Sequence, residues 1–170
     1  MNDSTTSLEF REAMASFPSG VTIVTTVDSA GTWWGFTATS FCSVSLDPPL
    51  VLVCLSKTAQ CYLAFARADH WQVHILGPDH ADLALRFATR GACKFSGDEF
   101  VANENREPVL PAATANLHCS TFETYSCGDH EVIVGLVQRV ALTDVSPAVY
   151  FDRRFHTLPN AKRVLPENQP

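Results

Sequence analysis

No apolar run in the 170 residues approaches the roughly 20 needed to span a bilayer, so a membrane-crossing helix is not expected. Met1 to Ser7 lacks a basic stretch followed by an apolar one, so a secretory leader is not expected either, and the chain is read as cytoplasmic with reduced cysteines. Positive charge is sparse: 12 Lys and Arg stand against 18 Asp and Glu, a net charge of −6, and the basic residues are scattered. That argues against a nucleic-acid partner, whose phosphates call for clustered cations. The G-x-G-x-x-G loop, the P-loop and the G-x-S-x-G elbow are all absent, which removes the common phosphate cradles and the serine-hydrolase elbow. The six cysteines (Cys42, Cys54, Cys61, Cys93, Cys119, Cys127) follow no regular spacing and sit in apolar segments, so they read as buried small hydrophobes. No metal site is expected: His118 and Cys119 are strand neighbours whose side chains point to opposite faces.

The composition is that of an ordinary globular protein, 46% apolar and 18% charged, and the length suits one domain. Thr6 and Glu9 have capping-box spacing, with Phe10, Met14 and Phe17 following at helical intervals up to Pro18 and Gly20. Val21 to Val27 alternates, with Val21, Ile23 and Val27 on one face and Thr22, Val24 and Thr26 on the other. A turn over 28–31 leads into an extended stretch from Trp33 to Thr39, which makes a hairpin. Beyond Asp47-Pro48-Pro49, the continuous apolar run Leu50 to Leu55 reads as a central strand covered on both faces. Thr58 is placed as the cap of a helix through Arg67 that turns Tyr62, Leu63 and Phe65 to the core, and Trp71 to Leu76 as the next strand. Asp79 starts a helix carrying Leu83, Leu85 and Phe87. Residues 89–114 form loop with a short irregular element, Asn116–Ser126 and Glu131–Val140 are long strands around a Gly128-Asp129 turn, and Val149–Phe155 is one last short strand. Six or seven strands with turns too short for parallel crossovers, plus three helices, give a mainly β fold, an antiparallel barrel with short helical inserts. The domain is drawn over residues 1–159 and the polar tail 160–170 is read as mobile.

Two segments offer chemistry. Gly35 to Phe41 leaves a strand with small and hydroxyl residues, and Leu55 to Gln60 joins a strand to a helix, where Ser56, Lys57 and Thr58 add hydroxyls and a charge to an anion-favouring terminus. His130 begins a strand just after a turn, where its imidazole could project over a pocket.

These blocks carry a resemblance. Phe17 to Thr26, Gly35 to Phe41 and Ser43 to Leu50, then Val73 to Leu76, Leu85-Arg-Phe-Ala88 with Lys94-Phe95, and Gly128 to Gly135 together resemble the flavin reductase-like family, in family order across residues 10–156. The resemblance implies the FMN-binding split β-barrel, a homodimer, and FMN or FAD in a groove near the subunit interface. It implies that Thr37, Ala38, Thr39, Ser40 and Phe41 line the isoalloxazine. It further implies that Cys54, Ser56, Lys57, Ala59 and Gln60 surround the ribityl chain and phosphate, that Lys94 and Phe95 contact the cofactor, and that His130 lies near the nicotinamide. His74 stands where the family often has Asn, which could alter a hydrogen bond beside the flavin. Trp33 and Trp34 replace smaller residues and read as interface or surface packing.

The implied activity is hydride transfer from NADH or NADPH to FMN or FAD, with His130 as the catalytic residue and nucleotide contact, and with reduced flavin passing to a partner monooxygenase. Such chemistry asks the protein for positioning rather than for a nucleophile. Two alternatives fit the same motifs: a protein that keeps its flavin and reduces another acceptor, such as ferric iron or a cobalamin, and a flavin-binding protein without catalysis.

Overall fold

The computed structural model describes residues 6–158, so the tail expected from residue 160 lies outside the described residues. Thr6 opens α1 (Ser7–Ala15) with a capping box: its hydroxyl accepts from Glu9 N at 3.3 Å and the Glu9 carboxylate accepts from Thr6 N at 2.8 Å. No residue of α1 is buried. After β1 (Ser19–Gly20), β2 (Thr22–Val27) and β3 (Trp33–Ala38) form the expected hairpin, its turn held by the Asp28 carboxylate, which accepts from Ala30 N and Thr32 N. The short β4 (Cys42–Ser45) and β5 (Leu50–Ser56) pair across the turn at Asp47-Pro48-Pro49. There follow α2 (Tyr62–Phe65), β6 (His70–Ile75), α3 (Ala81–Ala88), the two-residue strands β7 (Val101–Ala102) and β8 (Pro108–Val109), and the long hairpin of β9 (Ala115–Cys127) and β10 (His130–Leu142). The last described elements are β11 (Ala148–Phe151) and β12 (Arg154–Thr157), a hairpin where one strand is expected.

Seven strands form one antiparallel sheet in the order β3-β2-β6-β9-β10-β5-β4. The fold is mainly β with short helices. The apolar run of β5 is not at the centre: it lies second from the edge, and burial alternates along it, with Val51, Val53 and Leu55 inward and Leu52 and Cys54 half-exposed. An apolar run by itself does not distinguish a strand covered on both faces from one covered on a single face. The doubly covered strand is β2, where five successive residues are buried because an apolar cluster lies on each side. One cluster gathers Val24, Phe36, Val53, Leu55, Phe65, Trp71 and Ile133, and the other gathers Ile23, Leu76, Leu83, Phe87, Phe100 and Leu110. Each such side chain contributes about 1.5–3 kcal/mol by leaving water.

Two helices differ from expectation. The segment after β5 turns through residues 57–61 before α2, so Thr58 caps nothing, α2 has only four residues, and Leu63 is exposed. Its Phe65 alone is buried, which is too little apolar surface to hold a longer helix. In α3, Leu83 and Phe87 are buried while Leu85 faces out, as a 3.6-residue period requires of neighbours two apart. This helix lies directly on β3: a Cβ at Gly35 would stand 2.7 Å from the Phe87 ring, and the Thr37 hydroxyl donates to Ala84 O at 2.6 Å.

Candidate functional site

Packing α3 on β3 creates a cleft of about 610 Å³ between β3, the end of β5, the turn 57–61, the loop 88–95 and the first residue of β10. Its apolar side is built from Trp33, Trp34, Phe36, Phe87 and Phe95; its polar side carries the Ser56 and Thr58 hydroxyls, Arg90, Lys94 and His130. The indole N–H groups are satisfied within the chain, Trp33 donating to Arg106 O and Trp34 to the Asp28 carboxylate, both at 2.8 Å, so the rings are fixed as walls. Trp33 also meets Phe95 edge-on at 5.4 Å. Both tryptophans, expected as interface or surface packing, therefore belong to the cleft.

Of the residues expected to hold a cofactor, Thr37, Cys54, Ser56, Ala59, Gln60, Lys94 and Phe95 line this cleft, together with His130. The remainder of the 37–41 segment lies outside its lining. Ala38 is buried in the first apolar cluster and Phe41 packs against it. Thr39 is exposed, and Ser40 accepts from Cys54 N at 3.0 Å, pinning the chain after β3 to β5.

Lys57 is not in the lining either. Its ammonium donates to Ser126 Oγ and Gly128 O, both at 2.7 Å, and its N–H donates to Asp129 O at 3.0 Å, so its charge is spent on the β9–β10 turn. Nor is a helix terminus aimed at the cleft. The N–H groups of Thr58 and Ala59 turn back to Ser56, and the helix begins four residues after Thr58. What remains for an anion is the pair of hydroxyls, Ser56 Oγ and Thr58 Oγ1 at 3.0 Å from each other, and the exposed guanidinium of Arg90. Gln60 joins the two loops by accepting from Gly91 N at 2.7 Å.

His130 is placed by its turn. Gly128 takes a positive φ of 57° and Asp129 does not, the pattern of a two-residue hairpin loop with glycine first, and Lys57 fastens it. The His130 Nδ1 lies 2.8 Å from the Asp129 carboxylate, which can only accept, so the proton sits on Nδ1 and Nε2 is left as an acceptor in the neutral ring. That hydrogen bond is also the main reason the Asp129 carboxyl is held below the usual range. Next to His130 in sequence but outside the cleft lining, the Glu131 carboxylate accepts from the Tyr62 hydroxyl, which pushes the phenol pKa up. The Lys94 ammonium donates to Phe87 O and lies 5.7 Å over that ring; burial pushes its pKa down, partly offset by Cys61.

His74 is not at the cleft. It is fully buried in β6 against the Phe100 ring, its Nε2 at 2.9 Å from Thr25 Oγ1 and its Nδ1 bonded to Asn116, and burial pulls its pKa down to about 4. The cysteines divide as well: Cys61 and Cys119 are buried and Cys54 is half-buried, but Cys42, Cys93 and Cys127 are exposed, because a loop or strand edge places them outside the core. Among the described residues, no three His, Cys, Asp or Glu side chains converge on one point. Among the residues that sequence reasoning left out of the site are Trp33, Trp34, Cys61, Arg90 and Cys93. Arg90 and Cys93 lie in the stretch of weak periodicity, where only the Arg90-Gly91 break after a helix marks a loop.

Residues 14–159 match the family model described as the flavin reductase like domain. The chain is 46% identical over 157 residues to the actinorhodin polyketide dimerase of Streptomyces coelicolor, covering 92% of this chain and 89% of that protein. It is 44% identical over 151 residues to the NADH:riboflavin 5'-phosphate oxidoreductase of Streptomyces pristinaespiralis, covering 87% and 86%. A third relative, the reductase component of the flavin-dependent trigonelline monooxygenase of Acinetobacter baylyi, is 36% identical over 149 residues, which are 88% of this chain but 48% of that longer protein. Among solved structures, the NADH:FAD oxidoreductase of Streptomyces globisporus, in complex with NAD and FAD fragments, superposes with a TM-score of 0.86 at 30% identity, covering 95% of this chain and 99% of that one.

Proposed function

The chain belongs to the flavin reductase-like domain family, and from that premise we propose that it passes a hydride from NAD(P)H to FMN or FAD and hands the reduced flavin to a separate monooxygenase. The observation that carries the reading is the cleft itself. Its volume lies within the roughly 300–1,000 Å³ of small-molecule sites. A flat apolar ring suits its aromatic walls, and a phosphate suits the Ser56 and Thr58 hydroxyls and the Arg90 guanidinium, carried on two loops that the Gln60–Gly91 bond joins. When bound, the flavin supplies the two-electron acceptor.

The chain's own residues supply position. Trp33 and Phe95, locked edge to face, bound the ring site; Thr37 and Lys94, both tied to α3 through main-chain carbonyls, hold its floor. His130, oriented by Asp129 and by the Lys57-fastened turn, turns Nε2 to accept from the nicotinamide carboxamide. No proton need move at His130 for a hydride to pass. Relatives named as NADH oxidoreductases favour NADH as the donor.

A split barrel goes with this reading: the edge of the sheet at β3 faces β5 across the cleft, and the Ser40–Cys54 bond joins them. A homodimer would cover the apolar side chains that α1 leaves in solvent, Phe10 and Met14 among them. A cytoplasmic site is supported by the absence of any disulfide among the six cysteines.

The test is NADH oxidation by the purified protein with free FMN added. Rates that rise and saturate with FMN are expected, and His130→Ala should lower kcat/KM for NADH about 30-fold, the loss of roughly 2 kcal/mol of hydrogen bonding. No oxidation at all would leave a flavin-binding module; an unchanged kcat/KM in His130→Ala would remove that residue from the mechanism.

A further inference from the structure

Tyr62 and Glu131 lie outside the cleft lining, but their side chains join two of the pieces that form it. β5 and β10 run antiparallel, and their ladder ends at the pair His130–Ser56, two residues that both line the cleft. The adjoining pair is Glu131–Leu55. Strand neighbours point to opposite faces, so Glu131 lies with Leu55 and Ile133 on the face of the first apolar cluster. There it meets Tyr62, whose ring packs against the same cluster and whose hydroxyl donates to the Glu131 carboxylate. Tyr62 continues the segment 57–61, its N–H donating to Ala59 O at 3.0 Å, and Thr58, Ala59, Gln60 and Cys61 of that segment line the cleft. The imidazole of His130 has little of its own to hold it: 45% of its side chain is exposed, and its hydrogen-bond partner among the described residues is the Asp129 carboxylate, itself 91% exposed.

We propose that Tyr62 and Glu131 are positioning residues whose bond anchors the start of β10 to the segment 57–61 and thereby sets where His130 stands in the cleft. The consequence for NADH rests on the flavin reading of the cleft; the anchoring of β10 does not. Lys57 grips the turn before His130, through Asp129 O and Gly128 O, and Tyr62 grips the residue after it, so the backbone is fixed on both sides of the imidazole. A phenol–carboxylate bond is charge-assisted, about twice as strong as a neutral one, and it holds a strand end that would otherwise fray. The same bond pushes the phenol pKa up, so Tyr62 keeps its proton and stays a donor throughout the neutral range. A group misplaced by about 1 Å costs up to about 100-fold in rate, so a looser His130 registers in turnover even where the fold is intact.

Tyr62→Phe removes the hydroxyl and keeps the ring, so the apolar cluster is retained. In the full chain without flavin, amide hydrogen exchange of Lys57, whose N–H donates to Asp129 O, should speed up about tenfold, while amides of β2 keep the parent's rate. With FMN and NADH supplied, kcat/KM for NADH should fall about fivefold and FMN affinity by less than about twofold. Glu131→Leu should match Tyr62→Phe, and Glu131→Gln, which keeps an oxygen for the hydroxyl, should lose only about twofold. Because the pair acts through His130, adding Tyr62→Phe to His130→Ala should lower kcat/KM no further. An equal fall in both backgrounds, or an FMN affinity that falls as far as the NADH rate, overturns the positioning of His130. Lys57 exchange that is the same in Tyr62→Phe as in the parent overturns the anchor. A parent protein that oxidises no NADH would sink the flavin reading, while Lys57 exchange still decides whether Tyr62 and Glu131 anchor β10.

Discussion

The cleft and the buried polar groups around β6 handle hydrogen bonding in opposite ways. On the cleft side, Ser56, Thr58, Arg90 and His130 stand at an open mouth, each with donors or acceptors left toward solvent. Deeper in the protein, a polar ladder is sealed under residues 98–113. Thr25 donates to Pro108 O, Asn116 to Leu110 O, and the buried Glu107 carboxylate accepts from Gln72 and Asn103 at 2.8 and 2.7 Å. His118 Nε2 lies 3.3 Å from the same carboxylate without the alignment of a hydrogen bond. Polar side chains that satisfy one another hold a fold; those left unsatisfied at a cleft are free for a ligand. The difference teaches that the many hydroxyl, amide and imidazole groups of this chain do two separate jobs, which substitution should separate.

The largest effect should fall on the ladder. Glu107→Ala removes a buried carboxylate and strands the Gln72 and Asn103 amides, so a loss of about 4 kcal/mol in urea unfolding is expected, with FMN affinity at low temperature retained. A comparable loss of FMN affinity would erase the distinction between the cleft and the ladder. Next comes pH. His74 is neutral in the folded chain, with a pKa of about 4 against an ordinary 6.5. Below pH 6.5 the unfolded chain takes up a proton that the folded chain refuses until about pH 4. Stability therefore falls as pH drops through that window, by about 3 kcal/mol at pH 4. In His74→Asn that part of the slope should vanish; a slope equal to the parent's would mean that His74 does not carry it.

The sequence showed the cleft side better than the ladder. Strand spacing and the capping box at Thr6 and Glu9 are local and were legible, as were His130 after its Gly-Asp turn and the hydroxyls beyond Leu55. Lys57 was misplaced because a cation beside hydroxyls suggests an anion site, while its real partners, Ser126 and Gly128, lie about 70 residues away. His74 was set beside the flavin by the family resemblance alone, and its partners Thr25 and Asn116, 49 and 42 residues away, are what bury it. Trp33 and Arg90 needed the packing of α3 on β3 at Gly35, a close approach that no periodicity records.

The smallest effect, and the sharpest for the cleft, concerns Arg90. Its guanidinium is exposed at the cleft and makes no ion pair among the described residues, in contrast to Arg86, which is paired with Glu99. Arg90→Ala should therefore cost the fold nothing measurable in thermal unfolding, since no internal partner is lost. It should weaken FMN about tenfold, near 1.4 kcal/mol, and make binding less sensitive to salt. Riboflavin, which has the ring without the phosphate, provides the control: its affinity should be the same in the parent and in Arg90→Ala. If riboflavin weakens as much as FMN, Arg90 shapes the wall of the ring site and the phosphate is held by Ser56 and Thr58 alone. If Arg90→Ala instead lowers stability with no change for either ligand, the loop after α3 belongs with the sealed ladder, and the division of polar groups between the two regions has to be redrawn there.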